Sequence, residues 1–350
     1  MKQSFAQAWR DYRLLLLIGL IYDVFAVAQI LHFGLSFAGL VGWICLALRH
    51  VTGLTLLFLS LVLAGGFLRE VGRSPGREIA AYKAWLCAYF NGPVFAGAVI
   101  GFIACFQSLF FIMQKATIRF ANPYHWDATF AGIDEALHFG RYPGDWLLDA
   151  FGGGRFDFLL QMLYVGWFFY MYVALGFALF CEKSSVLRFR FVSCYVLGWY
   201  LLGGLAATYF SSAGPVFFHD IYPELPPLYE RLGAYLAAHK ESLSPFFFLY
   251  DNLLMWYRHK AQLVPNAPSA MPSMHAATST LIALYAFHHG RVLFAVAVLM
   301  GLGIVTSSIY FGFHYAIDSY VSILAMGGIW WGTGRVFRRR AENSPAGALS

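Results

Sequence analysis

The chain alternates long apolar runs with short basic loops and two long polar segments. The apolar runs are Leu14–Phe33, Leu35–Leu68, Phe95–Met113, Phe158–Phe180, Phe191–Phe210, Met274–Phe287, Val292–Ser308 and Ala316–Phe337. Most approach or exceed the ~20 residues with which a helix crosses a bilayer. They lack the period-two alternation of a membrane β-barrel strand, so the predicted elements are helices. Leu35–Leu68 is interrupted by Arg49–His50. It fits one long helix, two short spans, or a surface helix followed by a span.

The polar segments are Lys115–Arg155 and Ser211–Ala270. Amphipathic spacing recurs at Asp134–His138, Trp146–Asp149, Tyr229–Ala238 and Pro245–Tyr257. Short helices lying along the membrane face are predicted there. Asn122–Pro123, Tyr142–Pro143–Gly144 and Gly152–Gly153–Gly154 are turn signals. The small, polar stretch Ala341–Ser350 reads as a disordered tail.

Composition strengthens the membrane assignment. The 350 residues are 59% hydrophobic, 19% aromatic and 12% charged, against roughly 25% charged in soluble chains. Mean hydropathy is +0.61. The net charge of +6 includes no nucleic-acid-binding arm. Cys45, Cys87, Cys105, Cys181 and Cys194 lie in or beside apolar runs with no CxxC pair, and read as small apolar filler. Met1–Arg13 is short and basic, and no small-residue cleavage site follows, so the first run is expected to be a retained span.

Loop charge sets the expected orientation. Basic residues cluster at Lys2–Arg13, Arg69–Lys83, Lys183–Arg190, Arg291 and Arg338–Arg340. All fall on one side if Leu35–Leu68 crosses once, and short basic loops face the cytoplasm. The expectation is an all-α polytopic protein of the plasma or inner membrane, with about eight transmembrane helices and both ends cytoplasmic. Both polar segments then face the extracytoplasmic side.

The candidate chemistry lies in Pro272–Ser273–Met274–His275 and in Ser307–Asp318. His275 and His314 are 39 positions apart, room for two crossings at ~20 residues each, which returns both to one face. Asp318 follows His314 by four, so on a helix the two share a face. Histidine near a water-exposed helix end titrates near neutrality and serves as nucleophile or proton shuttle. Ser273 and adjacent N–H groups at a helix start suit a phosphate. Among the remaining polar positions, Asp127, Asp134 and Asp145 read as a solvated face, the alternative being hydroxyl acceptors of a polyol or headgroup site. Asp23 reads as an intramembrane carboxylate that is structurally paired or protonated, with a functional role as the alternative. His288–His289 reads as interfacial filler, and Trp167, Phe168, Phe169, Tyr170 and Tyr172 as interface belt and lipid-facing packing.

Pro272–Ser273–Met274–His275 matches the PSxH motif of the type 2 phosphatidic acid phosphatase superfamily, and the run from Ser307 resembles its last motif. Met271–Pro272–Ser273 with Gly312, His314, Tyr315 and Asp318 is similar to the inositolphosphotransferase branch, which includes inositol phosphorylceramide synthase. The resemblance covers roughly Lys115–Phe337. It implies a six-helix catalytic core and metal-independent phosphoryl transfer at the outer face, with membrane lipids as substrates and no cofactor. It casts His314 as nucleophile, Asp318 as its orienter and His275 as acid/base. It also divides the chain into N-terminal transmembrane helices over 1–92, a catalytic membrane domain over 93–340 and a tail over 341–350. Two departures stand out. Ser308 replaces the arginine that usually grips the phosphate, and Ser211–Pro215 replaces the first, lysine- and arginine-bearing motif. Ser273, Ser308, Gly312, Ser211, Ser212, Arg155 and Lys260 are the expected substrate-binding residues. Arg141, Arg231, Lys240, Arg258 and His259 are further candidates for the missing clamp. The expected activity is transfer of a phospholipid headgroup to a lipid or polyol hydroxyl through a phosphohistidine. The alternatives are a lipid-phosphate or prenyl-pyrophosphate phosphatase, and a non-catalytic transporter or scaffold.

Overall fold

The computed structural model describes residues 1–34, 37–73, 76–110, 117, 124–225, 228–258 and 269–342. Among them every regular element is helical. The first helices are α1 (Lys2–His32), α2 (Phe37–Arg73), α3 (Glu78–Asn91) and α4 (Pro93–Gln107). Two short helices follow, α5 (Asp127–Leu137) and α6 (Pro143–Phe151). Next come α7 (Asp157–Phe180) and α8 (Ser185–Gly198), the latter continuing as a π-helix over Trp199–Ala206. The outer helices α9 (Glu230–Ala238) and α10 (Ser244–Arg258) precede α11 (Met274–Ala286), α12 (Arg291–Tyr310) and α13 (Ala316–Glu342).

Among the described residues, six helical stretches are long and apolar enough to cross a bilayer: Lys2–His32, Thr55–Arg73, Pro93–Phe110, Asp157–Phe180, Ser185–Tyr209 and Arg291–Tyr310. The protein is an integral membrane protein. Leu35–Leu68 falls largely within α2, which runs unbroken for 37 residues rather than as two spans. The other two expected spans are α11, with 13 residues, and α13, whose first turns carry the buried Asp318, Ser319 and Ser322. At 1.5 Å per residue α11 rises only about 20 Å, less than the ~30 Å hydrocarbon thickness. Part of the expected tail, 343–350, lies outside the described residues, whereas Ala341 and Glu342 close α13.

The main core gathers side chains from α1, α4, α7, α8 and α11–α13, with Ala26, Tyr200, Leu281, Ile304 and Met326 among the most buried. Lipid-facing positions remain apolar and exposed, as at Phe169, Val292 and Leu324. A second core lies over one end of the bundle. There Leu148 of α6, Leu232 and Leu236 of α9 and Phe246 of α10 pack on Tyr310, Phe311 and Phe313. The predicted interfacial helices thus form a cap over the segment that carries His314. A turn at Phe287–Gly290, with Gly290 at φ +117°, joins α11 to α12 and returns the chain to that end. At the opposite end His289 Nε2 lies 3.0 Å from Glu182 Oε2, and the Tyr285 hydroxyl donates to the same oxygen at 2.7 Å. His289 therefore belongs to a polar cluster and is not the interfacial filler expected from its sequence setting.

Candidate active site

The site is built where the turn before α11 meets the turn before α13. Ser273 is the N-cap of α11, its hydroxyl accepting from Ala276 N–H at 3.3 Å. Capping satisfies one of the four N–H groups left over at a helix start. It places His275 in the first turn, facing the chain that leaves α12. That chain turns at Gly312, where φ is +70°. A Cβ at Gly312 would come within 2.4 Å of Leu232 Cδ2, so both the backbone and the α9 cap demand glycine.

His275 Nδ1 and His314 Nε2 are 3.2 Å apart. The other nitrogen of His314, Nδ1, lies 2.8 Å from the carbonyl oxygen of Ala270 and 3.4 Å from Asp318 Oδ2. A carbonyl only accepts, so this contact assigns the proton to Nδ1. Nε2 then carries the lone pair, and His275 Nδ1–H points at it. The His275 ring is held between Tyr164 (centroids 4.5 Å apart) and Trp167 (4.0 Å). Trp167 also donates to Thr278 at 2.7 Å and is 3% exposed. It lines the site instead of the interface belt expected for it; the neighbouring Phe168 and Phe169 do face outward.

Asp318 is fully buried. Its Oδ2 accepts from Tyr315 N–H at 2.9 Å, closing the first turn of α13. Its Oδ1 has no hydrogen-bond partner among the described residues. The Ala270 carbonyl is therefore the nearer anchor of His314, with the Asp318 carboxylate behind it. Ala270 is itself held by Ser212: Ala270 N–H donates to the Ser212 carbonyl at 2.8 Å, and Met271 N–H to its hydroxyl at 3.1 Å.

Two buried aspartates of α5 hold this assembly. Asp127 and Asp134 are seven residues apart, two helical turns, and so share a face. Asp127 accepts from Ala213 N–H and Gly214 N–H at 2.9 and 3.0 Å, from Tyr222 at 2.9 Å and from Tyr315 at 2.7 Å. Asp134 accepts from Ala316 N–H and Ile317 N–H at 2.7 and 2.8 Å, capping α13 from another helix. Burial pushes both carboxyls above the ordinary carboxylate range, and the N–H donors pull them partly back. The solvated face expected for Asp127 and Asp134 is overturned by their exposures of 0% and 3%. The seven-residue spacing within an amphipathic stretch was the available signal.

The other expected binding residues divide clearly. Ser211, Ser212, Ser273 and Ser308 are all fully buried. The Ser308 hydroxyl donates to Val305 O at 2.8 Å, and its carbonyl accepts from Phe313 N–H and His314 N–H. A guanidinium at this closed position would have to displace packed chain. Ser211–Pro215 runs against the His314 segment: Val216 N–H donates to Gly312 O at 2.8 Å, and a Cβ at Gly214 would come within 2.7 Å of Phe313 O. Arg155 is exposed on the turn before α7 and does not line the cavity at His314. Arg141 and Arg231 clasp Asp149 from two sides, which holds its carboxyl below the ordinary range. Lys240 sits 5.4 Å over the Phe247 ring. Lys260 and His259, together with the Arg258 side chain, lie outside the described residues.

His314 opens on a small cavity of about 20 Å³ beneath α6, shared with Asp134, Tyr142, Asp145 and Tyr229. A larger cavity of about 420 Å³ lies alongside, between α9 and the Pro215–His219 turn. The two share Pro215, Tyr229 and Leu232. No cluster of metal-ligating side chains occurs among the described residues.

A membrane-embedded helical bundle with a paired, polarised histidine dyad at one capped end is thus defined by fold and site together. The family model described as the PAP2 superfamily matches residues 128–332, more than half of the chain. The chain belongs to the PAP2 superfamily, whose members act as phosphatases or phosphotransferases on lipid phosphates. No curated protein and no solved structure matches it significantly.

Proposed function

We propose that the protein transfers a lipid-linked phosphoryl group to an alcohol acceptor through a phosphohistidine on His314, at the extracytoplasmic face. The observation that carries this reading is the dyad: His314 Nδ1 anchored on Ala270 O and Nε2 facing His275. An anchored second nitrogen is what an imidazole nucleophile requires. In the first step the Nε2 lone pair forms a bond to phosphorus, and the bond from phosphorus to the leaving lipid oxygen breaks. The His275 proton goes to that oxygen. The His314 ring becomes cationic as the bond forms, and the buried Asp318 carboxylate 3.4 Å from Nδ1 stabilises it. In the second step His275 takes the acceptor proton, the acceptor oxygen bonds to phosphorus, and the bond from phosphorus to Nε2 breaks.

At 3.2 Å the two rings leave no room for phosphorus between them, so donor entry moves them apart. The side assignment is supported by the basic loops, which cluster away from the capped end. Transfer over hydrolysis is supported by the 420 Å³ cavity that shares Pro215, Tyr229 and Leu232 with the small cavity at His314, a volume in the size range of small-ligand sites. The test is purified protein in lipid nanodiscs with a phospholipid labelled on its headgroup phosphate, with and without lipid-alcohol or polyol acceptors. Label moving onto an added alcohol is the expected result. Label released only as water-soluble phosphate or phosphate monoester, whatever alcohol is added, would make the protein a hydrolase. No turnover of any donor would make it a scaffold.

A further inference from the structure

We propose that the Tyr229 hydroxyl is a catalytic group, donating a hydrogen bond to the phosphoryl group as it transfers to His314. The proposal rests on the reading of His314 as nucleophile. It answers what takes over from an arginine at the position of Ser308.

Tyr229 precedes α9 and lines the same cavity as His314. Its hydroxyl is shut off from solvent yet has no hydrogen-bond partner among the described residues. Buried hydroxyls are almost always partnered, because an unmade bond forfeits the hydration the group gave up on burial. An orphaned one beside a candidate nucleophile is a donor held ready for something absent from the resting protein. The ring is fixed by Tyr142, with centroids 4.9 Å apart, by Phe218 at 5.7 Å and by Tyr315 at 6.4 Å. Burial, and nearby Tyr142, Asp134, Asp127 and Asp318, all oppose ionisation, so the phenol keeps its proton. The same carboxylates make the surroundings acidic, so a phosphoryl oxygen here depends on neutral donors of this kind. Tyr229 also borders the 420 Å³ cavity, placing it between donor and acceptor. Preorganised donors aimed where charge develops need no reorganisation at the moment of reaction.

The experiment compares wild-type, Tyr229→Phe and His314→Ala proteins, full-length in nanodiscs. It measures turnover of a phosphate-labelled phospholipid, inhibition by orthovanadate and the thermal midpoint. Orthovanadate mimics the five-coordinate phosphorus without presupposing the donor. Tyr229→Phe should lose roughly 10²-fold in turnover, the usual cost of one such donor, and bind vanadate more weakly by a similar factor. Its thermal midpoint should hold or rise, because the change removes an unpartnered buried hydroxyl. Wild-type turnover and vanadate inhibition in Tyr229→Phe, with His314→Ala inactive, would overturn the proposal alone. Loss of activity together with a lowered midpoint and unchanged vanadate inhibition would make Tyr229 structural and also overturn it. An active His314→Ala would remove the phosphohistidine reading itself.

Discussion

His314→Ala should abolish phosphoryl transfer, with turnover falling by at least about 10⁴-fold, as removal of a nucleophile does in other covalent catalysts. The imidazole has its Nδ1 anchored on Ala270 O at 2.8 Å, which leaves the Nε2 lone pair facing His275. His275 cannot substitute. Its Nδ1 proton points at His314, and its ring is held by Tyr164 and Trp167. His275→Ala should therefore also be severely impaired, and the double variant should be little worse than either single one, because the pair acts as a unit. The thermal midpoint of His314→Ala should fall modestly, because the buried ring also bonds Ala270 O, while the protein stays folded. The measurement is turnover of labelled phospholipid by the three variants at matched protein amounts.

Asp127→Ala should produce a large loss of stability at the capped end, about 3–5 kcal/mol, since each buried donor left without an acceptor costs ~1–3 kcal/mol. Two backbone N–H groups and the Tyr315 hydroxyl would lose their acceptor at once, while Tyr222 would keep the Tyr124 carbonyl. The Ala213 N–H, Gly214 N–H and Tyr315 bonds are buried, and a small apolar side chain offers no replacement. The loop Ser211–Pro215 and Tyr315 would be released together, and with them the Ser212 contacts that hold Ala270 under His314. Activity should fall with stability. Asp149→Ala gives the contrast. That carboxylate lies between Arg141 and Arg231 at the surface, where ion pairs contribute little, and its loss should leave the unfolding midpoint almost unchanged. Thermal unfolding of both variants in the same detergent separates these outcomes.

Much of this architecture is legible in the chain. The apolar runs locate every long helix, because a bilayer core forces backbone polar groups to pair within the segment. The 39-residue return that brings His275 to His314 follows from helix length alone. The α11–α12 turn achieves it, although α11 is shorter than a full crossing. The α9 and α10 helices also follow their amphipathic spacing, since one apolar face must be covered. What escaped is what depends on distant contacts. Asp127 and Asp134 look like solvated residues in sequence, and only the folded chain shows the N–H groups of 213–214 and 316–317 that they serve. Trp167 sits in a run of aromatics that otherwise face outward, and its burial against His275 depends on the rotation of α7. Asp318 does lie 3.4 Å from His314 Nδ1, but not through the shared helix face expected, because α13 begins only at Ala316. The nearer partner of His314 is a backbone carbonyl, which has no signature in sequence.

The central claim is that phosphate passes through His314. Its most direct test is to mix the protein with phosphate-labelled phospholipid, quench within a turnover, digest and locate the label. Label on the peptide containing His314, stable to base and labile to acid as a phosphorus–nitrogen bond is, and lost in His314→Ala, is the expected result. Full turnover with no covalently labelled protein at any quench time, or label on His314 too slow to form within one turnover, would contradict it.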